Sequence, residues 1–525
     1  MSGVGALIAL ALMMAASMAI GLAASRAAES GGFLRGYFLG NRGLGSWSMA
    51  LTATVMSGGS FMGFPSLIYQ YGWTLALWIA SYMMVPLCTF AILGKRIGRL
   101  ARETGAITLP DLLRERFRSP ALGIVASAVV VFVLSVTLIA QFKAGAIILQ
   151  KVLPILPGME GGPVVADKSA AFLAGLGVFS LVVVAYTVYG GFLAAVWTDV
   201  FQSVLMAVGV LVLLPLALAK AGGLGAGTMA GIQAVGPGFA FAPGGEHDGR
   251  EFLPLTLAFS FFVMWSICGM GQPATLVRLM AFRDTTTLRH ATVLLALYNT
   301  LIYLPLVFVF IAARAIPMPG LKAPDEVMPT LALTVASPLV AGIILAAPFG
   351  AVMSTVSAFL VQITSALVRD LYQRFVDPLA PEARLRRLSH AGIVLVALWA
   401  AGGAIFSPRF LQAIIVFAGG ANACAFLVPA ILAAWVPGAT ARAALAAMLG
   451  GIGTVLVLYG IGWLWAGDPG IGEKSTFAPY YLLGIAPYAW GLVVSALLGL
   501  GASLAGAGAS PARELAADPG RSPVP

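Results

Sequence analysis

The sequence predicts an all-α polytopic membrane protein, and three observations predict it. Of 525 residues, 60% are apolar and only 10% are charged, against roughly 25% charged in a soluble domain. The mean hydropathy is +0.96. Apolar runs of about 20 residues, the length that crosses a bilayer as a helix, recur from end to end. A water-soluble chain of this length would form about three or four domains, and so few charges could not cover their surfaces.

The first run, Gly3 to Ala24, has no basic segment before it and is long for a signal peptide, so it reads as a retained span. Two linked runs follow at about 46–70 and 73–94. Further spans are expected at about 121–150, 170–189, 192–218, 253–280, 291–313, 337–366, 390–406, 411–436, 441–465 and 481–505, giving thirteen. The segment 221–250 reads as a Gly-rich outer loop, and the end of the chain, rich in Ala, Gly and Pro, reads as a disordered tail.

Charge sets the orientation. The loops after odd-numbered spans carry 21 Lys and Arg residues, including seven from Lys95 to Arg118, and Arg278 is counted among them. The opposite loops carry 8, and Lys143 lies inside a span. The basic side faces the cytoplasm, which puts the N-terminus outside and the C-terminus inside. The net charge of +10 is therefore an orientation signal, with no continuous basic domain for nucleic acid. Cys88, Cys268 and Cys424 sit in apolar stretches and form no disulfide framework. His247, His290 and His390 fall in loops or at span edges, away from any membrane haem or metal centre.

Two spans are interrupted at mid-length. The second carries Ser57-Gly58-Gly59-Ser60, then Gly63 and Pro65; the seventh carries Gly269-Met270-Gly271-Gln272-Pro273. Such breaks free backbone groups that hydrocarbon cannot satisfy, so they persist where they line a cavity. Matching interruptions five spans apart predict two five-helix repeats with a site at the midplane. The alternative is that Gly and Pro merely kink these helices. In the ninth span, Ala351 precedes Ser354 and Thr355, whose neutral oxygens suit a desolvated Na⁺; alternatively the hydroxyls bond their own helix backbone.

Two ionisable residues lie within spans, where charge is costly and marks a polar pathway. Asp199 suits cation exit or gating, with a structural carboxylate as the alternative. Lys143 suits attraction of an anionic substrate, with snorkelling to the outer surface as the alternative. A stretch from Gly467 to Ser475 looks like a phosphate loop, but Glu473 separates Gly472 from Lys474 and no strand precedes it, so ATP is not supported.

At these motifs the sequence resembles the sodium:solute symporter family, most closely its sodium/pantothenate branch. The resemblance is carried by Tyr37-Phe38-Leu39-Gly40 with the Gly-rich second span, and by Tyr189-Gly-Gly-Phe-Leu-Ala-Ala-Val-Trp-Thr-Asp199. Gly271-Gln272-Pro273 leading to Val277-Arg278 and Val327-Met328-Pro329-Thr330 add to it. So does Leu345-Ala-Ala-Pro-Phe-Gly-Ala-Val-Met-Ser-Thr355, continued by Ala366-Leu-Val-Arg-Asp370-Leu-Tyr372. It runs from about residue 30 to 440.

The resemblance implies a LeuT-like core of two inverted repeats, 45–218 and 253–436, preceded by an extra helix over 1–25. Two peripheral helices over 441–505 and a cytoplasmic tail over 506–525 complete the expected organisation. It also implies Na⁺ as coupling ion, held by the Ala53 and Met56 carbonyls and by Ala351, Ser354 and Thr355. Substrate would lie near Ser57, Gly58, Trp265, Gly269 and Gln272, with Lys143 added from the reading above. Asp199 corresponds to the family acid at the start of the fifth core helix. Val55 replaces an Asp of the proline branch, and Gly269 replaces a gating Tyr of that branch.

The reading is Na⁺ symport of a small organic solute, an anion such as pantothenate or another monocarboxylate, by alternating access. The expected setting is a bacterial inner membrane, with membrane lipids and the solute as partners and no obligate protein partner. Sodium-independent or proton-coupled transport on the same fold is the alternative, as is a non-transporting membrane sensor. An enzyme is not expected, because the spans hold no catalytic constellation.

Overall fold

The computed structural model describes residues 2–28, 46–52, 57–155, 168–247, 250–406, 411–465 and 479–507. Among them the chain is helical, apart from a hairpin that pairs Glu246 with Glu251 and His247 with Arg250. Helix α1 spans Ser2–Ala28. Helix α2, Ser46–Thr52, precedes a π-turn, Gly59–Gly63, that continues into α3, Phe64–Tyr71. After Gly72, whose φ of 62° lies in the left-handed region, come α4, Ala76–Pro86, and α5, Lys95–Thr104. A short α6, Leu109–Phe117, is capped by Thr108, whose side chain accepts from the Asp111 N–H.

The long α7, Pro120–Val152, starts where Ser119 caps it and Pro120 presets its first turn. Helix α8, Ala170–Ala221, joins two expected spans that meet where Gly191 turns at φ 56°. Within the segment expected as a Gly-rich loop lies α9, Leu224–Val235, which corrects that expectation. It forms because Gly227 lets it pack directly on the backbone of Ile311 and Ala312, a tertiary contact that outweighs glycine's poor helix propensity.

The seventh expected span is two helices, α10, Leu255–Ser266, and α11, Pro273–Ala281, joined by a 3₁₀ turn at Cys268–Gly271. Then follow α12, Thr285–Ala312, α13, Val327–Val335, and α14, Pro338–Ser365. The remainder comprises α15, Glu382–Phe406, α16, Leu411–Trp435, α17, Ala441–Trp465, and α18, Pro487–Ala507.

Eleven helical stretches among the described residues are long and apolar enough to cross a membrane. Two places account for the difference from thirteen. Residues 59–104 run on as one helical stretch, and the α10–α11 break leaves neither half long enough to cross alone.

The core gathers around α14, α16 and α7, which hold the largest buried fractions, while α8 clasps α14 and α1 packs on both. The outer helices turn exposed apolar residues such as Leu181, Val204, Leu395 and Trp463 outward, as lipid-facing surfaces require. The expected residues Ala53 and Met56, the Tyr37–Gly40 stretch, the Gly467–Ser475 loop and residues 508–525 of the tail lie outside the described residues.

Candidate functional site

The first break is held open by side chains. Ser57 accepts from the Gly59 N–H at 3.1 Å, and its carbonyl accepts from the Ser60 N–H at 2.9 Å, so the helix restarts from a capped turn. The Gly58 N–H, which has no helical partner, donates to Gln141 Oε1 of α7 at 2.8 Å. A Cβ on Gly58 would stand 2.8 Å from the Ala144 Cβ, so only glycine brings the broken helix this close to α7. Beyond it, the Ser60 hydroxyl meets the Tyr303 hydroxyl at 2.9 Å. Tyr303 stacks on Tyr82 and Tyr82 on Trp265, with ring centroids 4.1 and 5.4 Å apart.

The second break is tied by Gln272. Its amide donates to the Gly419 carbonyl of α16 at 2.8 Å and to the Cys268 carbonyl at 3.3 Å. Gln272 is extended, at φ −72° and ψ 121°, and Pro273 opens α11 behind it. At Gly271 an added Cβ would stand 2.7 Å from the Ala423 Cα. The break therefore lies flush against α16.

Between the breaks lies a cavity of about 610 Å³ including its mouth. Ser57 stands on one wall, Trp265 and Gln272 on the second, and Ser354 and Thr355 of α14 on the third. Gln141, Thr137 and Ile415 complete the inner end. From there the cavity runs past Thr275, Ala358 and Phe359 to Arg278, toward the ends of α11 and α14 that adjoin the basic loops.

The sequence-predicted residues thus converge in part. Five of them, Ser57, Trp265, Gln272, Ser354 and Thr355, share the cavity. Ala351 is fully buried one turn before Thr355, and its carbonyl accepts the Thr355 hydroxyl at 3.0 Å. The Thr355 side chain therefore bonds its own helix and also faces the cavity. Gly58 lies behind the wall, and Gly269 sits beside Val85 away from the cavity lining.

Lys143 is also apart from the cavity. Its Nζ pairs with Asp325 Oδ2 at 3.2 Å, with both side chains buried, and the same oxygen accepts from the Leu411 N–H at 2.9 Å. It neither snorkels nor points at a vacant anion site, because Asp325 matches its charge at the start of α16. The expectation that Lys143 attracts a substrate loses its premise in this conformation.

Asp199 Oδ2 accepts from Arg278 at 3.0 Å, with both side chains buried. Arg278 was counted among loop charges. It is instead a helix residue on the cavity wall, drawn in because a buried carboxylate demands a counter-charge. Asp199 Oδ1 has no hydrogen-bond partner among the described residues.

Sequence reading did not single out Gln141, Asp325 or Tyr303, and it placed Arg278 in a motif and among the loop charges without pairing it with Asp199. Gln141 and Asn299 were visible as polar side chains in apolar runs; nothing local marks Asp325. A further buried network, also missed, joins α6 to the end of α14. There the Thr108 hydroxyl donates to both oxygens of Asp370, at 2.9 and 2.8 Å, and Arg374 bonds Asp111 at 2.8 Å.

The comparisons with known proteins agree with this architecture. The sodium:solute symporter family profile matches residues 37–451. The chain is 31% identical over 440 residues to the sodium/pantothenate symporter of Haemophilus influenzae, covering 82% of this chain and 86% of that one. It is 30% identical to the sodium/pantothenate symporter of Escherichia coli, with the same coverage. It is 27% identical to the sodium/proline symporter of Escherichia coli over 89% of both chains. The relatives are transporters and not enzymes.

Among solved structures, the fold resembles the substrate-bound, outward-open state of a Na⁺-coupled sialic acid symporter. The TM-score is 0.71 at 17% identity, covering 96% of this chain and 98% of that one. That likeness matches the expected LeuT-like fold. With its two broken helices around one cavity and a family profile spanning most of its length, this multi-pass membrane protein belongs to the sodium:solute symporter family.

Proposed function

We propose that this chain couples inward movement of Na⁺ to uptake of a small organic anion, with pantothenate as the first candidate and other monocarboxylates next. The observation that carries the substrate class is the cavity's donor set. Gln141 Nε2 belongs to a lining residue and is buried without a hydrogen-bond partner among the described residues, and the Trp265 indole borders the same space. A buried donor left unmatched is costly, and a solute rich in carboxylate, amide or hydroxyl oxygens would satisfy it. Two relatives that are pantothenate symporters, at 31% and 30% identity, favour the same class.

In this reading Ser57, Gly58, Gln272 and Trp265 contact or frame the solute. Ala351, Ser354 and Thr355 supply neutral oxygens to the cation, together with Ala53 and Met56. Asp199 receives the cation on its way out, and Na⁺ would compete there with Arg278. The two repeats, 45–218 and 253–436, rock about the site, and residues 441–507 stay peripheral. The cavity lining extends along α11 and α14 toward their basic ends, and in this reading the solute leaves by that end, which the charge rule puts on the cytoplasmic side of a bacterial inner membrane.

The test is uptake of labelled pantothenate by proteoliposomes with and without an inward Na⁺ gradient. Uptake that requires the gradient supports both ion and substrate. Gradient-independent uptake rejects Na⁺ coupling, and no uptake in either arm removes pantothenate and moves the search to other monocarboxylates.

A further inference from the structure

A second cavity lies far from the broken helices, where α5 and α6 meet the end of α16. It encloses about 900 Å³ including its open mouth. Its wall carries Lys95, Arg96, Arg99 and Arg116 against a single carboxylate, Glu103. Two of the cations have structural partners. Arg116 donates to the carbonyls of Ala433, Val436 and Pro437 at 3.1 Å each, and Arg96 donates to the Ala434 carbonyl at 3.3 Å. They neutralise the carbonyl-rich end of α16.

Lys95 and Arg99 are different. They are exposed, one turn apart on α5, and have no ion-pair or hydrogen-bond partner among the described residues. Like charges four residues apart repel, and Glu103, one turn beyond Arg99, offsets part of that repulsion without forming an ion pair with either residue. A bound anion would relieve that repulsion.

The position identifies which anion. Helix α5 begins where the apolar stretch ending at Gly94 stops, and α16 ends at Trp435. Arg96 lies over the Trp435 ring at 3.6 Å, and the Trp435 Nε1–H donates to the Ile92 carbonyl at 3.2 Å. Trp435 and Ile92 are both exposed. A Trp in this situation sits at the boundary between hydrocarbon and headgroups. The pocket therefore offers cations at headgroup depth beside the exposed apolar side chains of Ile92 and Trp435, against which an acyl chain can lie.

We propose that this pocket binds the phosphodiester headgroup of an anionic glycerophospholipid, with Lys95 and Arg99 as its phosphate contacts. Basic pockets between membrane helices are suited to such headgroups. The site is independent of the transported solute.

The test titrates the purified full-length protein with phosphatidylglycerol and counts bound lipid by native mass spectrometry. Phosphatidylcholine and soluble glycerol 3-phosphate serve as separate arms. Each charge near an anionic headgroup is worth about 1 kcal/mol, so Lys95→Gln with Arg99→Gln should weaken phosphatidylglycerol binding roughly 30-fold. Glu103→Gln should strengthen it about fivefold, a change of opposite sign that loss of folding cannot imitate.

Unchanged binding in both variants overturns the proposal. Equal retention of phosphatidylcholine overturns it by reducing the site to an apolar groove. Equal binding of glycerol 3-phosphate overturns the lipid as occupant.

Discussion

The Gly58 N–H and Gln141 Oε1 meet at 2.8 Å, and through that one bond α7 supplies the partner that the first broken helix lacks. Replacing Gln141 with Leu removes the acceptor and leaves the N–H buried and unmatched. The expected cost is about 1–3 kcal/mol of stability, read as a lower midpoint of thermal unfolding in detergent. Glutamate, which keeps the acceptor, should unfold closer to wild type. Equal midpoints for the Leu variant and wild type would show that the bond does not support the break.

Ser354→Ala and Thr355→Ala each remove one neutral oxygen from the α14 wall of the cavity. The Na⁺ concentration for half-maximal uptake should rise roughly 2- to 12-fold in each, from about 0.5–1.5 kcal/mol per lost contact. Thr355→Ser, which keeps the hydroxyl, should stay near wild type. Unchanged sodium dependence in both alanine variants would remove α14 from the cation site.

Breaking the Lys143–Asp325 pair from one side takes the opposite charge away from a buried ion. Lys143→Met or Asp325→Asn should each destabilise by about 3–5 kcal/mol. The double variant should recover most of that loss, because the asparagine still accepts from the Leu411 N–H. Chemical denaturation of the four proteins as a cycle measures the coupling. If Lys143 instead served substrate attraction alone, Lys143→Met would raise the substrate KM with little loss of stability.

Outside the membrane, Asp284 caps α12. The Thr287 backbone N–H first, and the Arg283 side chain second, hold its carboxyl below the usual carboxylate range. A depressed folded-state value means that its contribution is present above the unfolded pKa and lost as pH falls through the lower folded one. Acid should therefore destabilise wild type more than Asp284→Ala over that window, with the two curves converging at the acid end. Parallel curves from neutral to acid pH would exclude the cap as a titrating element.

The two breaks were legible because Gly and Pro interrupt otherwise unbroken apolar runs, and backbone freed in hydrocarbon has few destinations. Asp199 was legible for the same reason, as an expensive charge in an apolar segment. Its partner was not. Arg278 closes a span, and hydropathy cannot distinguish an arginine reaching outward from one turned inward to a carboxylate 79 positions away. Asp325 lay in a loop between Pro324 and Glu326, where acidic residues are ordinary. Its burial depends on where α7 and α16 bring Lys143 and the Leu411 N–H. Helix α9 was hidden by its glycines, which look like loop chemistry until the neighbouring backbone that needs them is known.

The contact at Gly271 constrains the mechanics of the cycle. With Ala423 too near to admit even a methyl group between them, α16 cannot glide across the second break without separating from it. The hydrogen bond from Gln272 to Gly419 pins the same seam. Any opening motion must then carry the second broken helix and α16 as a single lever. The other wall, where Ser57, Ser354 and Thr355 border the cavity, meets α14 and α16 through the side chains of Val352 and Ile415 rather than through backbone, and side chains can yield where backbone cannot.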